Sequence, residues 1–221
     1  IFINSGSNSA QIISNNVSTF GSSNARGINV AANSVDSNIT GNIVITGAGS
    51  NNYGIRLFGG ANFGTIALNN VSTAGSTAYA IYVTTSFNST VRENIVQTTG
   101  ITGKGFWFTD SSNSKILGNN INTVGTSAVG IDIGRDSDYN IITNNTINST
   151  NTDAIRFDAV SPDYPENNNV TSNTIIDNGQ LQLSILDGSI NGTYLIDQPI
   201  LDYSFIGSGG IVNFKNTSAG E

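Results

Sequence analysis

The chain contains no cysteine, no histidine and no methionine, and only three prolines and one tryptophan among 221 residues. Without cysteine there is neither a disulfide framework nor a thiolate metal site. Without histidine, the usual general base near neutral pH and the commonest transition-metal ligand are missing. Any chemistry therefore falls to carboxylates, arginine, lysine, tyrosine or a hard cation. Charge is scarce as well: 10% of residues are charged, and the net charge is −7. Nucleic-acid binding calls for clustered Lys and Arg, which this balance argues against. No apolar run approaches the ~20 residues of a membrane-spanning helix. What is abundant is Asn, Ser, Thr and Gly, set around 37% hydrophobic residues in a regular pattern. That is not the composition of a disordered tract.

The pattern is a repeat. A small residue followed by an apolar–any–apolar triplet occurs as Gly27-Ile28-Asn29-Val30, Gly54-Ile55-Arg56-Leu57, Ala80-Ile81-Tyr82-Val83, Gly105-Phe106-Trp107-Phe108, Gly130-Ile131-Asp132-Ile133 and Ala154-Ile155-Arg156-Phe157. Successive triplets lie 27, 26, 25, 25 and 24 residues apart. Such a period marks one supersecondary unit stacked on copies of itself. Two further apolar columns run through each period. One reads Ile12, Ile39, Ile66, Val91, Ile116, Ile141 and Val170, the other Val17, Ile43, Val71, Ile95, Ile121, Ile147 and Ile175. The triplet column extends to Leu181-Gln182-Leu183, 26 residues beyond Ile155.

Each apolar stretch alternates with period two over three to five residues, is rich in β-branched side chains and is bounded by turn formers. These are short strands, too short for helices of ordinary length. Three strands per period with matching columns predict an all-β fold, a right-handed parallel β-helix of about seven coils of 24–28 residues. At ~4.8 Å per coil the rod is on the order of 30 Å long. Asn16, Asn42, Asn70, Asn94 and Asn120 precede the second column, where Asn tolerates a left-handed turn and stacked amides can bond along the rod.

On motifs such as Asn119-Asn120-Ile121 and Gly130-Ile131-Asp132-Ile133, the chain resembles the right-handed β-helix repeat proteins, including the NosD-like and pectate-lyase-like superfamilies and large microbial surface proteins, over roughly residues 7 to 186. The resemblance implies the coil and little about activity, because that fold hosts lyases, glycosidases, adhesins and structural rods. The reading gives two regions: a β-helix over 1–186, and irregular closing coils or a small β appendage over 187–221. In the second region Tyr194-Leu195-Ile196 and Ile200 to Phe205 read as strands split by Pro199. The chain opens at Ile1 inside an alternating pattern, and neither end shows a capping helix. It therefore reads as part of a longer rod, or as a unit that stacks end to end.

The middle residue of each triplet points outward, so function is sought there. Asn29, Arg56, Tyr82, Trp107, Asp132, Arg156 and Gln182 share one face in register, flanked by Phe58, Thr109 and Asp158. Aromatic rings stack on sugars, and Arg and Asp bond hydroxyls or carboxylates. Arg56, Tyr82, Trp107, Asp132 and Arg156 are thus the ligand-binding candidates for a polysaccharide or surface glycan. The plainer reading is a decorated face whose Tyr82 and Trp107 cover each other. A catalytic version would use Asp132 and Asp158 with Arg156 between them. It departs from the pectinases the layout resembles, whose hydrolases use a His and whose lyases use a larger calcium cluster.

Asp132, Asp136 and Asp138 are the metal candidates, since close-spaced acids can hold Ca²⁺. Their spacing matches no known calcium loop, and solvated turn acids are the simpler reading. No other cofactor is expected. A second acidic patch, Asp153, Asp158, Asp163 and Glu166, surrounds the loop from Val160 to Asn169. Nine Asn-x-Ser/Thr sequons occur, a number the Asn, Ser and Thr content already accounts for. Asn88, Asn148 and Asn191 are the glycosylation candidates. The sequence thus points to an extracellular or cell-surface structural or adhesive β-helix segment, binding glycans or self-assembling into a filament. The alternative is a carbohydrate-active enzyme, lyase or hydrolase, working on one outward sheet face.

Overall fold

The structure is a computed structural model that describes residues 1–21, 23–158 and 164–176, together with the strands Leu183–Leu186 and Tyr203–Ile206. Three parallel sheets wind around one apolar interior, with no helix among the described residues. Sheet 1 has nine strands and holds the triplets; sheets 2 and 3 have seven each. Every strand pairs with its counterpart one period away, so the columns read from the sequence become ladders along the rod.

In sheet 1, Ile28, Ile55, Ile81, Phe106, Ile131 and Ile155 are in register from coil to coil. All six are fully buried, as are Val30, Leu57, Val83, Phe108 and Ile133 beside them. The small residue that opens each triplet has a steric cause. A Cβ on Gly54 would stand 2.3 Å from Val71 Cγ1 and 2.6 Å from the Ala80 carbonyl. A wider side chain there would push the strand off both the core and its neighbour.

Sheets 2 and 3 correct the sequence reading in register. In sheet 2 the buried residue is Ile142, paired with Ile116, while Ile141 pairs with Lys115 on the outer side. In sheet 3 the buried ladder contains Val44 and Val96, and Ile43 and Ile95 face out, 46% and 57% exposed. Runs of consecutive apolar residues offer two registers one residue apart, and only packing against the other sheets selects between them.

The corner between sheets 2 and 3 is built by two adjacent columns. Ser14, Gly41, Leu68, Glu93, Gly118, Asn144 and Ser172 all have positive φ. Each is followed by an Asn: 15, 42, 69, 94, 119, 145 and 173. This is the true Asn ladder. It is one residue before the expected position at Asn16, Asn70 and Asn120, which instead start exposed strands of sheet 3. From Asn15 to Asn145, each ladder amide donates to the next coil's Asn Oδ1; Asn42 to Asn69, Asn94 to Asn119 and Asn119 to Asn145 lie at 2.9, 3.0 and 2.8 Å. The same Oδ1 accepts the backbone N–H of the Asn one coil earlier, as from Asn69 N to Asn94 Oδ1 at 2.9 Å. Buried amides are thereby satisfied without water.

Toward the C-terminus, Leu183 pairs with Ile155 and Ser184 with Arg156. The triplet column therefore continues two residues later than expected, and Ser184 takes the place assigned to Gln182. Tyr203–Ile206 adds a ninth parallel strand onto Leu183–Leu186, so sheet 1 runs on past residue 186. The other residues of the C-terminal region lie outside the described residues, as does the expected strand at Tyr194-Leu195-Ile196. No helix among the described residues is long and apolar enough to cross a membrane.

Candidate ligand-binding face

Sheet 1 has the longest strands, up to six residues, against three in sheet 2 and three or four in sheet 3. It therefore presents the widest outer face. Three ladders occupy it. The triplet ladder is Asn29, Arg56, Tyr82, Trp107, Asp132 and Arg156, in register throughout. A second ladder, Phe58, Thr84, Thr109, Gly134 and Asp158, follows two residues later. The third, Arg26, Tyr53, Tyr79 and Lys104, comes three residues before the triplet ladder.

The sequence reading missed this third ladder. Strict alternation would send position 26 inward if position 29 points outward. Ring contacts and an ion pair show both ladders on one face, so alternation does not hold through the small residue between them. The signal was present: the residues before Gly27, Gly54, Ala80 and Gly105 are Arg, Tyr, Tyr and Lys.

The rings form one continuous cluster. Tyr82 and Trp107 stack at 4.6 Å between centroids and 8° between planes. Tyr53 and Tyr79 stack at 5.4 Å, and Tyr79 meets Trp107 edge-on at 4.8 Å. Cations close the stack at both ends. The Arg56 guanidinium lies 4.2 Å from the Phe58 centroid and 5.2 Å from that of Tyr82; Lys104 Nζ lies 4.2 Å from that of Trp107. Tyr82 is held between Arg56 and Trp107 and is only 9% exposed. Trp107, Tyr53 and Tyr79 are half-buried and reach the surface.

Asp132 anchors the next stretch. It is fully buried, and its Oδ2 pairs with Lys104 Nζ at 2.8 Å and with Arg156. Arg156 also approaches Asp158 at 3.7 Å. Burial by itself would lower the Arg156 pKa, but Asp132, by charge and by hydrogen bond, with Asp158 and Asp153, outweighs it and holds the guanidinium above its ordinary range. Arg56 is the opposite case. Burial, then the positive charge of Arg26, lower its pKa, and the neighbouring tyrosines offset this only in part. Burial raises Tyr53, and it pushes Tyr79 up to about 12, aided by the tyrosines beside it and by Asp132.

The structure separates the other candidates. Asn29 is 1% exposed and so is not a solvent-facing group. Asp132, Asp136 and Asp138 do not gather, and among the described residues no group of three acids could hold a metal ion. Asp138 Oδ1 instead accepts the Glu166 N–H at 2.6 Å, while burial raises its pKa against that bond. Asn88 is exposed at a corner with φ 57°, whereas Asn148 is half-buried in sheet 3, paired with Asn122. Asn191, Gln182 and Asp163 lie outside the described residues.

Comparison with known proteins identifies the scaffold. Residues 26–198 match the family described as right handed beta helix region. No curated protein matches the chain. Among solved structures it is similar to an alginate lyase from Paenibacillus sp. str. FPU-7, at 13% identity and a TM-score of 0.42, covering 93% of this chain and 92% of that one. It is also similar to the tailspike protein gp49 of Acinetobacter baumannii bacteriophage Fri1, a capsular polysaccharide depolymerase. That match has 14% identity and a TM-score of 0.40, over 94% of this chain and 47% of the tailspike.

Proposed function

Because the chain belongs to the right-handed β-helix family, whose coil is a scaffold that leaves its outward residues free to vary, we propose that its function resides on the outer face of sheet 1 and is the binding of a glycan by an extracellular structural or adhesive segment. The carrying observation is the cluster of Tyr53, Tyr79, Tyr82 and Trp107. Four rings packed on one another, with cations at each end, make a stiff, half-exposed strip along the rod. Such a strip loses little side-chain freedom on binding, and it offers apolar ring surface beside phenol and indole hydrogen-bonding groups. Sugar rings, with apolar and hydroxylated sides, match that mixture.

A catalytic reading would rest on Asp132, Arg156 and Asp158. Asp132 has no exposed surface, and its Oδ2 is committed to Lys104 and Arg156. It therefore acts as the counter-ion that fixes those cations rather than as a group that meets a ligand. We assign it a positioning role.

The test is binding of the protein to a panel of acidic and neutral polysaccharides, with Trp107→Ala and Tyr79→Ala alongside. Removing one sugar-contacting ring should weaken the best ligand at least about tenfold, about 1.4 kcal/mol. Binding unchanged in both variants, with folding intact, would remove the face from the argument.

A further inference from the structure

The charges on this face do not balance, and the imbalance is local. Four cations, Arg26, Arg56, Lys104 and Arg156, share the face with the carboxylates Asp132 and Asp158, and Asp153 adds a negative charge near Arg156. These carboxylates lie at one end, with Lys104 and Arg156. At the other end Arg26 and Arg56 make no ion pair with the described residues, although the chain as a whole has a net charge of −7.

The polar groups around them are unsatisfied too. Arg56 Nε is buried without a hydrogen-bond partner. Asn29, one rung away in the same ladder and 1% exposed, has no partner for either Oδ1 or Nδ2. Burying such groups without partners is costly, and native structures keep few of them. Two like charges on adjacent strands, one of them half-buried, are costly as well; burial first, and then Arg26, lower the Arg56 pKa. Phe58 fixes the guanidinium from one side, with its centroid at 4.2 Å, and so orients it for a planar acceptor.

We infer that Arg26 and Arg56 form a subsite for an acidic group, the carboxylate or sulfate ester of a charged sugar. The inference rests on the glycan-binding reading of sheet 1 and specifies its ligand class. An anion there neutralises the arginine pair and supplies acceptors to the guanidinium N–H groups that reach the surface. A free neutral sugar supplies hydroxyls and no charge. The Tyr53–Tyr79–Tyr82–Trp107 strip begins on the strand that carries Arg56 and runs on from there, so a chain lying along the rod would place one acidic residue on the arginines and later residues on the rings.

The experiment titrates the whole protein with hexamers of galacturonate, mannuronate and sulfated galactose, and with the methyl-esterified or unsulfated form of each. The expected result is that at least one acidic hexamer binds about tenfold or more tightly than its neutral form, and that the preference shrinks as salt rises. Arg56→Gln and Arg26→Gln should bring the ratio of acidic to neutral affinity for that hexamer down toward one. Arg56→Lys should keep part of the preference, and thermal melts establish that all three variants fold. The carboxylate and sulfate arms identify the acid. Equal binding of charged and neutral forms, or equal loss of both in Arg56→Gln, overturns the subsite and leaves the glycan reading standing. Absence of binding by every hexamer overturns both.

Discussion

Replacing Asn94 by Ala removes one rung of the ladder at the corner between sheets 2 and 3. The Asn94 side chain makes five hydrogen bonds. Its Nδ2 donates to Ile66 O, Arg92 O and Asn119 Oδ1 at 2.9, 3.0 and 3.0 Å. Its Oδ1 accepts Asn69 N at 2.9 Å and Asn69 Nδ2 at 3.0 Å. With the side chain gone, the Asn69 N–H has lost the acceptor it is built around, inside a corner that water does not reach. Leaving one buried donor unmade costs about 1–3 kcal/mol, and the other lost bonds add their smaller net contributions. The expected destabilisation is about 3–4 kcal/mol, a large share of the ~5–15 kcal/mol that holds a domain folded.

Asn70→Ala is the control, since Asn70 is exposed, begins a sheet 3 strand and stands outside the corner Asn ladder; it should change stability by no more than about 0.5 kcal/mol. Urea denaturation followed by far-ultraviolet circular dichroism measures both variants. Equal midpoints for Asn94→Ala and Asn70→Ala would refute the claim that the ladder, rather than Asn content in general, stabilises the corner.

Three further outcomes follow from the geometry. Gly100→Ala should prevent folding or cost upwards of about 3 kcal/mol, because its Cβ would lie 1.8 Å from the Gly75 carbonyl oxygen, whereas Gly118→Ala, at φ 61° with its Cβ in ordinary contact with Glu93 Cγ at 3.8 Å, should cost only the left-handed strain of about 1–2 kcal/mol; thermal melts of the pair distinguish them. Asp132→Asn keeps the shape but removes the counter-ion shared by Lys104 and Arg156, so the midpoint should fall by the equivalent of about 2–4 kcal/mol, below the full buried-pair figure because both cations retain some exposure; an unchanged melt would refute the anchoring role. Tyr79 should ionise late, because burial holds its phenol in the neutral form. Its folded pKa of about 12 lies above the ordinary phenol value of 10.0, so the native state keeps a proton that the unfolded chain gives up; stability is full below pH 10 and falls as pH rises toward 12. Tyr79→Phe should flatten that fall, as read by denaturation across the interval and by phenolate absorbance.

The period and the three strands per coil were legible because inward positions must be apolar in every coil, and a wrong residue there would cost the whole ladder. What the sequence concealed was register. Asn42 and Asn94 stand without an Asn neighbour in sequence, and both were placed correctly. At Asn15-Asn16, Asn69-Asn70 and Asn119-Asn120 two amides compete, and only the corner geometry selects the first. The same holds for Ile43-Val44 and Ile141-Ile142. The corner itself left no residue signature. Ser, Gly, Leu, Glu and Asn all occupy its left-handed position, including Leu68 at φ 57° and Glu93 at φ 55°. Non-glycine residues there cost about 1–2 kcal/mol each, so the conformation is imposed by the ladder beside it and not by local preference. At the candidate face the alternation rule concealed Arg26, Tyr53, Tyr79 and Lys104, which share a side with residues three positions away.

The contrast between faces is the strongest reason to locate function on sheet 1. All three sheets obey the same inward rule, and all three are free to choose their outward residues. On sheet 3 the outward ladders read Asn16, Ile43, Asn70, Ile95, Asn120, Thr146 and Thr174, and Ser18, Ile45, Ser72, Gln97, Asn122, Asn148 and Ile176. Not one of these is charged or aromatic. Sheet 1 gathers four cations, two acids and the four-ring cluster on its outer face, and there it buries Asp132 and Asn29, which a rod has no need to bury. Burying a carboxylate under two cations, and a full amide without partners, lowers stability relative to apolar or exposed alternatives. A face used only as surface would have no reason to bear that cost. A face that must hold Arg56, Trp107 and Lys104 in fixed positions for a ligand does, and the cost falls where the strands are longest and the surface is widest.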